Sequence, residues 1–412
     1  MNNKASNSSR SVLTVFTAGA FFFYSFIQMT LFSTEAMKDY FMNVLSINNT
    51  ADFGSFAGTF LYGTVIFLIP VGLLLDKFSV RKTILSFILI DVLCVLGLSY
   101  TTNATTSMIF RFMTGIAHCV AFMAPFRLAP RWFESRHLAL VSGLLVAFAV
   151  FGGWVSGAPL LGLIQEFGGE TTMLINTSLG VVIFILALIF IKDFPEGYVE
   201  KSSTAEIQSI GQGLKLAAMN KQNWLAGLYI GLLNLAVLLL GAMWGTTYLR
   251  IVNPEFSEAT YTGIIGMIFI GTIIGSPLSG WISDKLKSRK KVMIGSGLLS
   301  LVVILLIIFP LDTNAGLFYV LFLLLGLITA AQSIGYPVIG ESNEDKVLGT
   351  ANGLSAVVLM GMGAIEQPLF GKLVEIFGGN AEAFQKAIWI MPIAFVLAII
   401  CVSLLRETFK KN

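Results

Sequence analysis

The sequence predicts an all-α polytopic membrane protein of twelve transmembrane helices, arranged as two copies of a six-helix unit. Three observations predict it. The 412 residues are 56% hydrophobic and only 12% charged, with a mean hydropathy of +0.82. A soluble domain carries roughly 25% charged residues, so a chain this apolar could not cover its surface in water. The apolar residues also gather into runs of about 20, the length that crosses a bilayer as a helix. Finally, the pattern G-x-x-x-D-K-x-x-x-R-K occurs twice, at Gly72, Asp76, Lys77, Arg81 and Lys82 and again at Gly280, Asp284, Lys285, Arg289 and Lys290, 208 residues apart.

The expected spans are 11–33, 53–75, 82–101, 107–128, 138–164, 171–191, 222–249, 259–283, 292–311, 316–340, 347–374 and 385–405. Helices are expected because backbone groups in lipid must be satisfied within the segment, and the alternation of a barrel strand is missing. The polar start, Met1 to Arg10, precedes a run too long for a signal-peptide core, so the first span is read as retained. Lysine and arginine set the orientation. With the N-terminus inside, every loop cation except Lys38, Arg250, Lys372 and Lys386 falls on the inner side. Both termini are therefore expected in the cytoplasm, which requires an even number of spans. Residues 193–221 form the one long polar inner connection, with an amphipathic surface helix expected over Thr204 to Ala218.

The repeat has further anchors. Pro159 and Gly162 near the end of span 5 match Pro368 and Gly371 near the end of span 11, and a Phe-Gly-Gly follows each, at Phe167 and Phe377. The expected organisation is an N-terminal half (1–192), a cytoplasmic linker (193–221) and a C-terminal half (222–412). Halves of equal topology are expected to pair about an axis along the membrane normal, with a substrate site near the midplane.

These motifs resemble those of the major facilitator superfamily over nearly the whole chain. The first charged hairpin resembles that family's loop between spans 2 and 3, with Ser79 where the family usually has glycine. Arg111, Gly115 and Ala117 resemble its span-4 element. Gly153, Gly157, Pro159 and Gly162 resemble its span-5 element, with Ala158 inserted between glycine and proline. Arg127 to Phe133 is similar to a branch holding bacterial phagosomal nutrient carriers and lysosomal dipeptide carrier-like proteins. The resemblance implies a rocker-switch secondary transporter, a monomer, whose spans 1, 4, 7 and 10 line the cavity.

Asp76 at the inner end of span 2 would face the positive end of a neighbouring helix or pair with Arg81. Gly72, Asp76, Arg81, Gly280, Asp284 and Arg289 are the candidate conformational latch; the alternative is a topology anchor. Glycines such as Gly152, Gly271, Gly275, Gly280 and Gly361 suit close helix packing, whether sliding or static. Pro159, Pro277 and Pro368 are expected to bend their spans.

Charges inside spans point to a site, since each costs roughly 2.5–3.5 kcal/mol at the bilayer centre on insertion scales. Arg111, Gly115, His118 and Phe122 share one face of span 4. Arg111 suits a carboxylate or phosphate held by two hydrogen bonds; otherwise it pairs with Asp91 on span 3. His118 either carries a proton or is a neutral core histidine. Glu366 on span 11 is a candidate for substrate ammonium or a proton, and Asp91 completes the set of proton-coupling candidates. Tyr24, Gln28, Asn234, Gln332 and Tyr336 fill in the substrate site, each with interhelical packing as the alternative.

Three solute classes fit: a charged nutrient such as an amino acid or short peptide, an organic anion or phosphate ester, and a drug- or siderophore-like metabolite for export. No nucleophile–base pair or metal cluster indicates an enzyme. Two histidines and three cysteines inside apolar runs imply no metal and no cofactor. No phosphate-binding loop occurs, so ATP is not the expected direct driver; the titratable Glu366, His118 and Asp91 make proton coupling the expectation, with facilitated exchange as the alternative. The expected partners are a small-molecule substrate, protons and lipid, with no nucleic acid. The expected location is a bacterial inner membrane.

Overall fold

The computed structural model describes residues 2–133, 135–195, 210–343 and 345–409, and these are helices, turns and short connections with no strand among them. Among the described residues, eleven helices are long and apolar enough to cross a membrane. One of these stretches, Leu144–Phe190, is 47 residues long, about 70 Å as a helix, more than twice the ~30 Å hydrocarbon core. Gly168 divides it with φ 79° and ψ 169° inside the helix. That backbone conformation is open to glycine and strained for other residues. The stretch is thus spans 5 and 6 joined by a one-residue corner, which gives twelve spans among the described residues.

The chain forms two compact units. The first comprises Met1–Phe32, Ala36–Asn48 and Thr59–Lys201; the second comprises Ser33–Glu35, Asn49–Gly58 and Ser202–Asn412. In the first unit, α1 (Asn2–Met29) packs against α5 (Ala104–Trp132), α6 (Ser135–Val155) and α7 (Ala158–Phe190), while α4 (Val80–Tyr100) packs against α5 and α7. The helices α2 (Glu35–Leu45) and α3 (Thr50–Lys77) fall mostly in this unit, while Glu35 and the start of α3 up to Gly58 belong to the second. In the second unit α8 (Ile210–Met219) precedes span 7. That span runs as α9 (Lys221–Leu235), a π-helix (Ala236–Trp244) and α10 (Gly245–Val252). Then come α11 (Glu258–Lys285) and α12 (Arg289–Ile308). Span 10 is α13 (Ala315–Thr329), a 3-10 turn (Ala330–Ile334) and α14 (Gly335–Glu341). Finally come α15 (Asp345–Ile376) and span 12, formed by α16 (Ala381–Ala387) and α17 (Ile390–Leu404).

Helix starts follow local chemistry. Ser79, Asn103, Asn220, Ser257, Ser288, Asn314 and Asn380 each cap the next helix, their side-chain oxygens accepting a backbone N–H of its first turn. Ser79, the departure from the family's glycine, is therefore the start signal of α4, and Ser288 is its counterpart at α12.

Glycine sets the closest helix approaches. A Cβ at Gly63 would stand 2.2 Å from the Phe112 carbonyl oxygen, and one at Gly115 1.9 Å from that of Phe60. The second unit repeats the arrangement, with Gly271 at 2.3 Å from the Leu323 oxygen and Gly326 at 2.1 Å from the Ile268 oxygen. The following threonines also match. Thr64 Oγ1 donates to the Gly115 carbonyl at 3.0 Å and Thr272 Oγ1 to the Gly326 carbonyl at 3.5 Å. Small residues of this kind let helix backbones meet where lipid supplies no hydrophobic drive. Gly152 is similarly close to the Phe23 carbonyl oxygen, and Gly275 to that of Leu327, whereas Gly280 and Gly361 have open space beside them. The expectation of close packing fails at those last two.

Other expectations are corrected. Pro159 starts α7 after a break at Ser156 and Gly157 instead of bending a helix, because proline costs nothing at a first-turn position whose N–H is unpaired anyway. Pro277 and Pro368 do lie inside helices. The connection between spans 1 and 2 contains an additional helix, α2, and Lys38 within it is buried, not a loop charge. The amphipathic helix expected over Thr204 to Ala218 is found as Ile210–Met219; residues 204–209 lie outside the described residues.

Candidate functional site

In the first unit the polar interior centres on Arg111, which is 1% exposed. Asn103 starts α5, so Arg111 lies two turns in from that end. α1 ends at Met29, leaving carbonyls of its last turn without helix partners. Arg111 Nη1 donates to one of them, the Gln28 carbonyl, at 2.7 Å, placing a cation at the negative end of α1. Its guanidinium carbon is 4.9 Å from the Phe32 ring centroid and 5.0 Å from that of Phe60, within cation–π range. Gln28 is itself held by Asn176 through two amide–amide hydrogen bonds of 3.1 Å.

Asp91, on α4, is fully buried, and neither carboxylate oxygen has a hydrogen-bond partner. Arg111 is the cation that acts on it across the α4–α5 contact. Tyr24 on α1 is fully buried, and its hydroxyl has no hydrogen-bond partner. It packs where only a glycine leaves room, since a Cβ at Gly180 would stand 2.7 Å from the hydroxyl oxygen. His118, two turns along α5 from Arg111, is completely buried. Its Nδ1 shares a 2.8 Å hydrogen bond with the Ser25 hydroxyl, while Nε2 has no partner. Its ring centroid is 5.3 Å from that of Phe60 and 5.9 Å from that of Phe22, and Phe22 stacks on toward Phe122 and Phe126. The expected cavity residues Tyr24, Gln28, Arg111 and His118 thus come together in one unit as a buried group.

The second unit holds the others. Gln332 Nε2 donates to Asn234 Oδ1 at 2.6 Å, so spans 7 and 10 are joined just where each leaves α-helical geometry. Asn234 is one residue from the end of α9, and Gln332 lies within the 3-10 turn. Irregular turns of this kind often mark functional positions. Tyr336 is half-buried on α14. Glu366 is 7% exposed on α15, with Oε2 buried and lacking a hydrogen-bond partner. The neighbouring Gln367 secures the π-helix: its Nε2 donates to the Leu238 carbonyl at 3.0 Å, and Trp244 Nε1 donates to the Gln367 carbonyl at 3.2 Å.

The two charged hairpins are built alike. Asp193, just after span 6, accepts from the Ser79 hydroxyl and the Arg81 N–H at the start of α4. Arg131 stands 3.9 Å from the same carboxylate, and Arg81 Nη2 donates to the Leu188 carbonyl at 2.9 Å. Glu407, just after span 12, accepts from the Ser288 hydroxyl and the Arg289 and Lys290 N–H groups at the start of α12. Arg289 pairs with Asp284 at 2.7 Å and with Glu341 at 3.0 Å. Partial burial alone would raise the Glu407 carboxyl. The Ser288 hydroxyl and the backbone N–H groups of Phe409, Arg289 and Lys290 outweigh it and hold the group below the usual carboxylate range. The side chain of Asp76 lies outside the described residues, so its expected pairing has no counterpart here.

Sequence reasoning missed Asp193, Glu407 and Glu341. Asp193 and Glu407 each follow the last span of a half, but the offset that aligns Ser79 with Ser288 misses their match by five residues, so the repeat alone does not mark them. It also missed Glu35, whose carboxylate accepts hydrogen bonds from Thr246 and Thr247 within the second unit. Nothing in the pattern around Glu35 marks it.

The sequence model described as Major Facilitator Superfamily matches residues 14–365 and 255–411. A putative tartrate transporter of Agrobacterium vitis is 29% identical over 241 residues, 54% of this chain and 52% of that protein. A quinolone resistance transporter of Acinetobacter baumannii is 29% identical over 119 residues, 29% of this chain and 27% of that protein. The chain spans about half the length of the curated tartrate relatives it matches, and less of the quinolone one. Among solved structures, a bacterial homolog of the human lysosomal transporter Spinster, inward-facing and unoccupied, is 13% identical with a TM-score of 0.72 over 97% of both chains. A nucleoside transporter is 15% identical with a TM-score of 0.74, over 95% of this chain and 100% of that one. At such identities the likeness is one of fold.

Proposed function

Since the chain belongs to the major facilitator superfamily and is a multi-pass membrane transporter of that family, we propose that it moves a small carboxylate-bearing organic solute by rocker-switch alternating access, driven by a proton gradient. The observation that carries this reading is Arg111. A guanidinium buried in the apolar middle of a transporter is costly unless it serves a negative partner, and its planar fork matches a carboxylate. The names of the two tartrate relatives agree with a hydroxylated carboxylate. Amino acids and short peptides share the carboxylate and stay within the class.

In this reading Arg111 binds the solute's carboxylate, with Tyr24, Gln28 and His118 around it. Asn234, Gln332, Tyr336 and Glu366 are the candidates in the C-terminal half (222–412), joined to the N-terminal half (1–192) by the linker 193–221. The buried acids supply the proton site. The hairpin residues Gly72, Asp76, Arg81, Gly280, Asp284 and Arg289 belong to the conformational latch, together with Asp193 and Glu407. The protein works as a monomer in a bacterial inner membrane with both termini in the cytoplasm.

A second reading, export of an aromatic compound, rests on the phenylalanines around His118 and on the quinolone resistance relative. Thermal-shift measurements on purified protein separate the two, using L-tartrate, alanine, dialanine, glycerol phosphate and a quinolone against wild type and Arg111→Ala. Stabilisation by a carboxylate, lost in Arg111→Ala, is expected. Stabilisation by the quinolone alone, unchanged in Arg111→Ala, refutes the carboxylate reading.

A further inference from the structure

The surroundings of His118 decide which of its ring nitrogens carries a hydrogen. The residue is completely buried, and so is Ser25. The Ser25 hydroxyl stands 2.8 Å from Nδ1, its one side-chain hydrogen-bond partner among the described residues. With the hydrogen on Nδ1, that N–H would donate to the hydroxyl oxygen. The hydroxyl hydrogen would then have no acceptor, and bare Nε2 would have no donor. With the hydroxyl donating to Nδ1, a single group is left over, an N–H at Nε2, which has no hydrogen-bond partner. Buried polar groups without partners are costly, so the arrangement with fewer of them wins. It also suits the neighbouring rings. The Phe60 and Phe22 centroids lie 5.3 and 5.9 Å from that of the imidazole, tilted by 57° and 53°. An aromatic face attracts an N–H and repels a bare lone pair.

The charge follows from the same surroundings. α1 brings Ser25 and Phe22 to the ring, and α3 brings Phe60. α4 brings Asp91, which acts on Tyr24, Cys94 and Arg111. On α5 the nearest charge in sequence is Arg111, itself a cation, and α6 begins with Arg136 and His137. None of these sets an anion against His118. A positive ring would be buried without a counter-ion, which costs far more than a neutral one.

We propose that His118 is a neutral hydrogen-bond donor, fixed with its hydrogen on Nε2 by Ser25, that recognises an uncharged oxygen of the solute, a hydroxyl or a carbonyl. It then selects among carboxylates by what else they carry. The inference rests on the carboxylate reading above, and it removes His118 from the proton carriers. Phe60 sets the two recognition groups side by side, its centroid 5.0 Å from the Arg111 guanidinium carbon and 5.3 Å from the imidazole centroid. Beyond the imidazole, Phe22 meets Phe122 at 5.5 Å and Phe126 at 6.4 Å, and both of those are half-buried. Rings there accommodate carbon and discourage a second charge. A donor enclosed by such walls discriminates well, because a solute without the matching oxygen leaves the N–H unmet.

With two histidines in the chain, the first test is direct. In protein labelled with nitrogen-15 at histidine, His137→Gln leaves a single ring, and nitrogen NMR shifts separate the two tautomers and the charged form. A hydrogen on Nε2 and a bare Nδ1 are expected, unchanged from about pH 5 to about pH 9, and Ser25→Ala is expected to let in the other tautomer. A hydrogen on Nδ1 alone, or on both nitrogens within that range, overturns the proposal. The second test is calorimetric binding of L-tartrate and succinate, which differ only in hydroxyls. Wild type is expected to prefer L-tartrate about tenfold or more, the worth of one well-placed hydrogen bond, and His118→Phe to bring the two within about twofold. Ser25→Ala keeps the ring and frees its tautomer, so it is expected to lose part of the preference whether or not His118→Phe folds. Equal binding by wild type, or an undiminished preference in Ser25→Ala or in folded His118→Phe, refutes the donor role. If wild type binds neither dicarboxylate, the carboxylate reading falls and takes the recognised oxygen with it, while the nitrogen shifts still decide the state of His118.

Discussion

Replacing Glu407 tests the way the second unit ties the end of its last span to the start of α12. The carboxylate accepts from the Ser288 hydroxyl, the Arg289 N–H at 2.9 Å and the Lys290 N–H at 3.2 Å. Two of these are backbone donors of the first turn of α12, which have no intrahelical partner. A side-chain cap on such donors stabilises by ~1 kcal/mol, and a negative charge there adds about 0.3–1 kcal/mol. Glu407 is exposed, so water replaces part of what is lost. Glu407→Gln keeps an acceptor and loses the charge, at about 0.5 kcal/mol; Glu407→Ala loses both, at about 1–2 kcal/mol. Thermal unfolding followed by tryptophan fluorescence in detergent should show the alanine variant melting lower by several degrees, with the glutamine variant in between.

The pH dependence has a definite sign. The carboxyl is held below its usual range in the folded protein. Its stabilisation is therefore fully present above the unfolded carboxylate pKa and is lost as pH falls through the folded one. The gap between wild type and Glu407→Gln should be widest near neutrality and close on acidification. An unchanged melting temperature in Glu407→Ala, or a gap that widens toward acid, would refute the capping argument.

Further outcomes follow from the packing. Gly115→Ala and Gly326→Ala force a Cβ to within 1.9 and 2.1 Å of backbone oxygens, which cannot yield as a side chain can. Both should cost 1–3 kcal/mol or more, roughly the range for overpacking, and lower the yield of folded protein in size-exclusion chromatography, while Gly361→Ala, with open space, should not. Gln367→Leu leaves the Leu238 carbonyl of the π-helix without its side-chain donor and should destabilise by about 1–3 kcal/mol, read as a lower melting temperature. Asn234→Ala and Gln332→Ala break one shared 2.6 Å hydrogen bond. Their double variant should therefore melt close to the single variants, and an additive loss would show that they act separately.

Much of the fold was legible because the bilayer imposes its own code. Apolar runs near 20 residues and caps such as Ser79 and Ser288 locate the helices. The corner between spans 5 and 6 was legible as the gap between the expected spans 138–164 and 171–191, but its cause, one positive φ at Gly168, was not. The α2 helix was missed because its charges, Glu35 and Lys38, read as a loop, and burying them depends on partners distant in sequence. The interior candidates Arg111, Asp91, His118 and Glu366 were legible because charge inside a span is rare. The pairing of Arg111 with Asp91 was legible as an alternative, whereas the contact of Arg111 with α1 was not. That Arg111 reaches the last turn of α1 depends on which side of α5 meets that helix end, and no periodicity on α5 alone encodes it. The closing acids Asp193 and Glu407 were hidden for a simpler reason: an acid next to basic residues after a span resembles any solvated loop.

Those two acids bear on ancestry. Each copy of the repeat finishes by returning its last carboxylate to the beginning of its own third span. A polypeptide of only six spans with that ending would already have had its tail secured, with no need of a continuing chain.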